Sequence, residues 1–275
     1  MPVANAPAYP DYRVSPGERI MLPAIDANES EGYERKKDVL GELEEQRLRI
    51  QELQAKLYAE NKAGLLIVLQ AMDTGGKDGA IKHVFSGVNP QGCRVSSFKA
   101  PSPVEANHDF LWRYHNSAPA VGRIGIFNRS HYEDVLVVRV KNIVPEEVWR
   151  ARYELINNFE WTLTQNSVSV IKFYLHISKD EQKRRLESRL ADPNKKWKFS
   201  TNDIKERAYW EDYQRAFEDA INNTSTDYAP WYVVPANRKW YRNLVIARAI
   251  ADTLESLDPR FPPAEKGLDR ITIPD

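Results

Sequence analysis

Residues 73–79 read Asp-Thr-Gly-Gly-Lys-Asp-Gly. A turn through Thr74, Gly75 and Gly76 that enters a helix near Lys77 gathers backbone N–H groups at the positive end of a helix dipole. That is a seat for an anion, and Lys77 is placed to reach into it. Residues 65–69, an unbroken apolar run, precede the turn and read as a strand buried on both faces. Strand, glycine-rich turn and helix make a phosphate-binding loop of the P-loop kind. The match is imperfect. Ala71 stands where the usual Gly-x-x-x-x-Gly-Lys-Ser/Thr pattern has its first glycine, and Asp78 where it has a metal-binding hydroxyl. The extra carboxylate of Asp73 also sets the loop apart. The alternative is a tight turn with Gly-Gly used for backbone freedom and Lys77 solvated.

Two more stretches could do chemistry. Residues 128–134, Asn-Arg-Ser-His-Tyr-Glu-Asp, follow another apolar strand. P-loop enzymes often carry a metal-holding Asp at such a strand end. Asn128 occupies that place, bringing an amide oxygen but no charge; its other reading is a strand-end turn former. Arg129 can clamp phosphate bidentately, or form a surface ion pair with Glu133. Residues 183–198 hold seven basic side chains against two acidic ones, around a break at Asp192-Pro193-Asn194 and an aromatic, Trp197. A basic helix that breaks beyond the strand ends suits a lid closing over phosphates. A solvated helix face and a nucleic-acid surface are the other readings. His83, His108, His115, His131 and His176 show no metal-ligand spacing, and no Ser/His/Asp arrangement suggests acyl transfer.

These groups need elements to hold them. Residues 32–61 have a helical stripe (Val39, Leu43, Ile50, Leu53, Leu57) that packs on its own domain or, less simply, in a coiled coil. Further strands are expected over 94–98, 123–127, 168–175 and 231–234. Helices are expected over 103–115, 145–165, 180–190, 204–221 and 239–257. Strands alternating with helices imply an α/β fold with a parallel five-stranded sheet between helical layers. Ligands then bind beyond the carboxyl ends of the strands, where the three basic and carboxylate motifs lie. Residues 1–30, with prolines at 2, 7, 10, 16 and 23, read as an extended arm on the surface or ordered by a neighbour. The body is one domain over 31–257 with its lid at about 180–203, and 258–275 is an irregular tail.

Composition excludes other classes. The 275 residues balance 39 Lys and Arg against 39 Asp and Glu, so only a local patch could attract a polyanion. Mean hydropathy is −0.59, and no apolar run approaches the ~20 residues of a membrane span. Cys93 is the only cysteine and the N-terminus lacks a signal-peptide pattern, which points to the cytoplasm.

With these motifs in place the chain resembles the polyphosphate kinase 2 family. The likeness rests on residues 73–79, on Phe110-Leu111-Trp112-Arg113, on residues 126–134 and on the lid, 189–198, and it extends from about Tyr33 to about Leu257. The resemblance implies a thymidylate-kinase-like fold, Mg²⁺ (or Mn²⁺), and transfer of a terminal phosphoryl group between inorganic polyphosphate and a nucleotide. It implies AMP, ADP and ATP as partners and a homodimer or homotetramer; no membrane is expected, and the phosphate loop elsewhere in the chain makes nucleic acid the weaker reading of the basic run. By position, Asp73 and Lys77 match essential loop residues, Arg129 the arginine after the third strand, and Arg189 the lid arginine. Asn128 departs from the Asp of many members. The form of residues 128–134 looks most like the subgroup that accepts both AMP and ADP. Asp73 and Asn128 are the expected metal residues. Thr74, Gly75, Gly76, Asp78, Gly79, Lys82, Arg113, Glu133, Lys195, Lys196 and Lys198 are expected to bind phosphate or nucleotide. Two rivals stay open: a conventional ATP-dependent nucleoside monophosphate kinase, and a regulator that binds nucleotide or nucleic acid without turning it over.

Overall fold

The apolar run at 65–69 is the middle of the molecule. In a computed structural model of the chain, which describes residues 11–268 and 271–274, every residue of that run is at most 1% exposed. The elements in chain order are β1 (Arg13–Val14), α1 (Lys36–Glu60), β2 (Gly64–Gln70), α2 (Lys77–Val84), β3 (Cys93–Ser97), α3 (Pro103–Ala106), α4 (Trp112–His115) and β4 (Ile124–Asn128). There follow α5 (Glu133–Val140), α6 (Glu146–Gln165), β5 (Val168–His176), α7 (Lys179–Ala191), α8 (Thr201–Arg207), α9 (Trp210–Thr224), β6 (Trp231–Pro235) and α10 (Lys239–Ser256). The sheet runs β1-β6-β5-β2-β4-β3. Strand β2 pairs in parallel with β4 on one side and β5 on the other, in register Leu69 with Asn128 and Gln70 with Tyr174. Its loop therefore emerges between the ends of both neighbours, the crevice where open α/β sheets bind ligands.

The sheet has one strand more than expected. Arg13 and Val14 pair antiparallel with Tyr232 and Trp231 at the β6 edge, so the sheet is mixed rather than wholly parallel. From residue 11 onward the arm runs over the surface of its own domain, pinned where Val14, Leu22, Ala27 and Ser30 are buried. Leu22 is fully buried, and Glu218 and Asn222 of α9 accept hydrogen bonds from the backbone N–H groups of Leu22 and Ile20. Residues 1–10 of the expected arm lie outside the described residues. The expected helix over 103–115 is two short pieces. Ser102 caps α3 with Glu105 in a capping box, and the chain leaves the helix at Asn107. The expected helix at 204–221 is likewise split, into α8 and α9, around Ala208 and Tyr209. Helix α5 was not expected at all: its apolar run 135–138 carries no helical spacing.

Polar groups are also buried beneath the sheet. Lys172 of β5 donates to Glu160 of α6 at 2.5 Å and to the Thr224 carbonyl at 2.7 Å. Glu160 also meets His131 at 3.1 Å and accepts from Tyr132 Oη at 2.9 Å. Trp231 donates to Thr224 Oγ1 at 2.9 Å, and Tyr132 Oη lies 2.9 Å from the same hydroxyl. A buried ion pair persists only when its remaining hydrogen-bonding capacity is satisfied, and this network meets that condition at Glu160 and Lys172. It anchors β4's outgoing turn to α6, β5 and α9.

If Leu22 pins the arm to its domain, Leu22→Ala lowers unfolding stability by about 3 kcal/mol through the cavity it opens. Urea denaturation followed by tryptophan fluorescence measures this; an unchanged midpoint would show that Leu22 is no anchor.

Candidate active site

Three consecutive carbonyls of the glycine-rich turn are held from below. Gln182 of α7 donates to the Asp73 carbonyl at 3.0 Å. Arg185, one turn on, donates through Nη1 to the carbonyls of Thr74 and Gly75, both at 3.0 Å. Arg242 of α10 brings Nη1 within 3.5 Å of the Gly75 carbonyl. A trans peptide points its N–H opposite to its C=O. Tying these carbonyls to the scaffold therefore turns the N–H groups of Thr74 and Gly76 the other way. The first-turn amides of α2, which have no intrahelical partner, join them. Thr74 and Gly76 reach this shape with φ of 64° and 103°. Gly76 needs its missing side chain twice: for that φ, and because a Cβ would lie 2.0 Å from Arg242 Nη1.

Lys77 lies under the same loop, 9% exposed, its Nζ donating to the Ala71 carbonyl at 3.2 Å. Burial, and then the neighbouring Arg129, hold its ammonium below the ordinary lysine range, against the pull of Asp73, Glu133 and Asp78.

Across the loop, β4 delivers its end. Arg129, at φ 62°, donates through Nη2 to Asp73 Oδ1 at 2.9 Å. The alternative reading paired it with Glu133 on the surface; its hydrogen-bonded partner is the loop carboxylate. Burial opposes the Arg129 charge, but Glu133 and Asp73 outweigh it and raise its pKa. Burial pushes the Glu133 carboxyl up, with Arg129 and Lys77 pulling the other way. Gln70, with its amide turned to suit both neighbours, bridges Glu133 Oε1 at 3.1 Å and the Ser130 N–H at 3.2 Å. Asn128 donates through Nδ2 to Asp78 Oδ1 at 2.8 Å, tying β4 to the first turn of α2.

Asp73, Arg129 and Glu133 are among the polar groups lining a cavity of about 630 Å³ that begins at the loop. Arg113 stands on its rim, held by the Lys99 carbonyl at 2.8 Å and by Tyr114 Oη at 2.6 Å. Phe98, Phe110, Leu136, Val137 and Val144 make an apolar side, and Asn202 and Glu206 of α8 close it from above. The hollow thus has an apolar part for a flat ring and a charged part for phosphates, meeting the phosphate loop at Asp73.

The lid cations do not join this group. Arg189 is 3.7 Å from Asp203, Lys195 is 2.5 Å from Asp192, and Lys198 sits 5.0 Å over the Trp197 ring. None of these, nor Lys196, lines the cavity. Lys82 is exposed on the far turn of α2, and Gly79 packs against Arg242. Arg185, counted with the basic lid run, belongs instead to the loop's support. Sequence reasoning missed Gln182 and Arg242 as well. A usable signal was the spacing of Glu181, Gln182 and Arg185 directly after a strand, and an arginine set among the buried apolar positions of α10.

The donor set fits a hard divalent cation. Among the described residues no three His, Cys, Asp or Glu side chains gather as a metal cage. Mg²⁺ does not require one, since it takes one or two carboxylates and completes its shell with phosphate and water. Only Oδ1 of Asp73 is engaged by Arg129. The neighbouring Thr74 Oγ1 is buried without a hydrogen-bond partner, an oxygen that a ligand's shell would satisfy.

A family model described as Polyphosphate kinase 2 matches residues 33–262. The chain is 49% identical over 263 residues to an AMP/ADP-polyphosphate phosphotransferase of Meiothermus ruber, spanning 95% of this chain and 98% of that one. It is 45% identical to an ADP-polyphosphate phosphotransferase of Rhodopseudomonas palustris, over 91% of each. A crystal structure of polyphosphate kinase 2 from Arthrobacter aurescens TC1 superposes with a TM-score of 0.92 at 42% identity, covering 98% of this chain and 97% of that one.

Gly76→Ala forces a left-handed alanine and displaces Arg242, so it costs about 3 kcal/mol of stability. Equal urea midpoints for the variant and the parent would show that Arg242 does not occupy that space.

Proposed function

The chain belongs to the polyphosphate kinase 2 family, and from that premise we infer that it carries the terminal phosphoryl group of inorganic polyphosphate to AMP and ADP, reversibly. The single observation that carries the reading is the Asp73–Arg129 pair. It stands where the phosphate loop meets the cavity, so a donor on one side and an acceptor on the other come end to end there. The named activities of the Meiothermus ruber and Rhodopseudomonas palustris relatives support the same pair of acceptors.

A terminal phosphate oxygen of AMP or ADP attacks the end phosphorus of polyphosphate. The bridging P–O bond breaks, and its electron pair leaves with a chain one phosphate shorter. The acceptor oxygen is already largely ionised near neutral pH, so positioning and charge stabilisation do most of the work through a loose transition state. Lys77 and the amides of Thr74 and Gly76 cradle the donor, with Asp78 and Gly79 on the same helix end; the Gly75 N–H is held by the Met72 carbonyl, and Lys82 stands on the far turn. Arg113, Glu133 and the apolar wall hold the nucleotide. Arg129 swings its charge from Asp73 to the transferred group. Arg189, Lys195, Lys196 and Lys198 reach the phosphate chain when the lid closes, exchanging Asp203 and Asp192 for phosphate oxygens. Asp73 and Asn128 are the residues that would hold Mg²⁺, or Mn²⁺ in its place, which would neutralise phosphate charge there. The enzyme works in the cytoplasm, where its nucleotides are, as a homodimer or homotetramer. No helix among the described residues is long and apolar enough to cross a membrane.

AMP with polyphosphate and Mg²⁺, without ATP, yields ADP and then ATP on this reading. An ATP-dependent kinase makes neither under those conditions, and a binding regulator turns nothing over. Lys77→Ala and Asp73→Asn each lower turnover about 10²–10³-fold while circular dichroism stays native; near-parental turnover in either would remove that residue's role. Because the Lys77 ammonium is held low, it loses its proton earlier than an ordinary lysine as pH rises. The alkaline limb of kcat/KM for polyphosphate therefore falls below the ordinary value of 10.5. Lys77→Arg, whose charge does not titrate, should move that limb upward; an unmoved limb assigns it to another group.

A further inference from the structure

Arg242 is 1% exposed, set in α10 among buried apolar neighbours. Its Nε and Nη2 donate to Asn243 Oδ1 at 3.1 and 2.7 Å, and its Nη1 points to the Gly75 carbonyl. Among the described residues no carboxylate pairs with it. Arg185 is also buried, and its guanidinium is spent on Glu181 at 2.7 Å and on the carbonyls of Thr74, Gly75, Ala236 and Asn237. The two converge on one glycine: a Cβ on Gly76 would lie 2.0 Å from Arg242 Nη1 and 3.7 Å from Arg185 Nη1. So two buried cations face the underside of one peptide layer, and the one carboxylate among their partners, Glu181, pairs with Arg185 and also with Arg184.

That arrangement is costly on its own terms. Like charges repel strongly where the dielectric is low, and an unpaired buried charge is a destabilising choice where a methionine would fill the same volume. Packing alone gives no reason for it. The upper face of the same peptide layer supplies one, because its N–H groups face the phosphate seat. A polyanion there sits one peptide thickness from both guanidiniums.

We propose that Arg185 and Arg242 are positioning residues for the polyphosphate chain: a buried dication that holds the loop's carbonyls down, keeps the potential above the loop positive, and is relieved of its mutual repulsion when phosphates bind. The acceptor's cavity lies beyond Asp73, and neither arginine lines it. The effect therefore falls on the phosphate donor and spares AMP. The kinetic half of this inference rests on the transfer reaction inferred above; the binding half does not.

The test uses inorganic tripolyphosphate without nucleotide. In the parent protein it raises Tm well beyond a sodium chloride control of equal ionic strength, because binding to the folded state alone stabilises it. In Arg242→Met that rise is largely lost, and KM for polyphosphate increases about tenfold or more with KM for AMP within about twofold. Arg242→Lys keeps the charge but not the planar fork, and retains part of both effects. A parent protein whose Tm ignores tripolyphosphate overturns the proposal, whether or not the methionine variant folds. So does an Arg242→Met protein that loses intrinsic Tm but keeps the full tripolyphosphate rise, since that is a structural role only. A parent that shows the rise yet transfers no phosphoryl group upholds the dication and sinks the transfer reading instead; transfer without the rise does the reverse.

Discussion

The anion seat proposed for the turn after β2 requires that the turn's carbonyls be occupied elsewhere. A free glycine-rich turn would present oxygen and N–H with similar ease, and the oxygens would repel phosphate. Here Gln182, Arg185 and Arg242 take the oxygens of residues 73–75 from beneath. The polarity of the seat is thus decided by two helices distant in sequence, α7 and α10, and not by the glycines alone. Everything above the loop depends on this: the placement of Asp73, the pairing of Arg129 with it, and the junction between seat and cavity.

The stretch at 128–134 shows how a short motif serves two surfaces. Arg129 and Glu133 face the cavity, while His131 and Tyr132 turn down into the Glu160–Lys172 network. Burial favours the neutral form of His131, and its contact with Glu160 opposes this only in part. A network whose ion pair is closed on α6, β5 and α9 leaves the turn little freedom, which suits an arginine held at positive φ. The lower half of the motif fixes where the upper half points.

Which parts could be read from sequence follows from the physics of each. Residues 65–69 announce their strand because burial on both faces leaves only apolar side chains. The loop announces itself by Gly75-Gly76-Lys77 set directly after a buried apolar strand. The strand at Arg13–Val14 carries no such mark; two residues among prolines have no period, and only the exposed edge of β6 recruits them. Helix α5 was hidden because residues 135–138 are apolar on every face, as a buried strand would be. Asp73, Lys77, Arg129 and Glu133 were legible because strand ends bring them together. Arg185 was misread because a run of cations does not reveal its helical phase, and that phase turns Arg185 inward and leaves Lys183 and Arg184 outside. Arg242 was passed over because its partner is a backbone carbonyl, which no residue type advertises.

The central claim is spatial: donor phosphates on the loop, acceptor in the cavity, and a divalent cation between them at Asp73. A crystal grown with AMP, an imido-bridged tripolyphosphate that cannot be transferred, and Mn²⁺ would show it directly. The account predicts an anomalous manganese peak beside the Asp73 carboxylate, the imido chain against the amides of Thr74, Gly76 and Lys77, and the adenine against Phe98 or Phe110. Adenine nucleotide seated on the loop, or manganese bound away from Asp73, would contradict it.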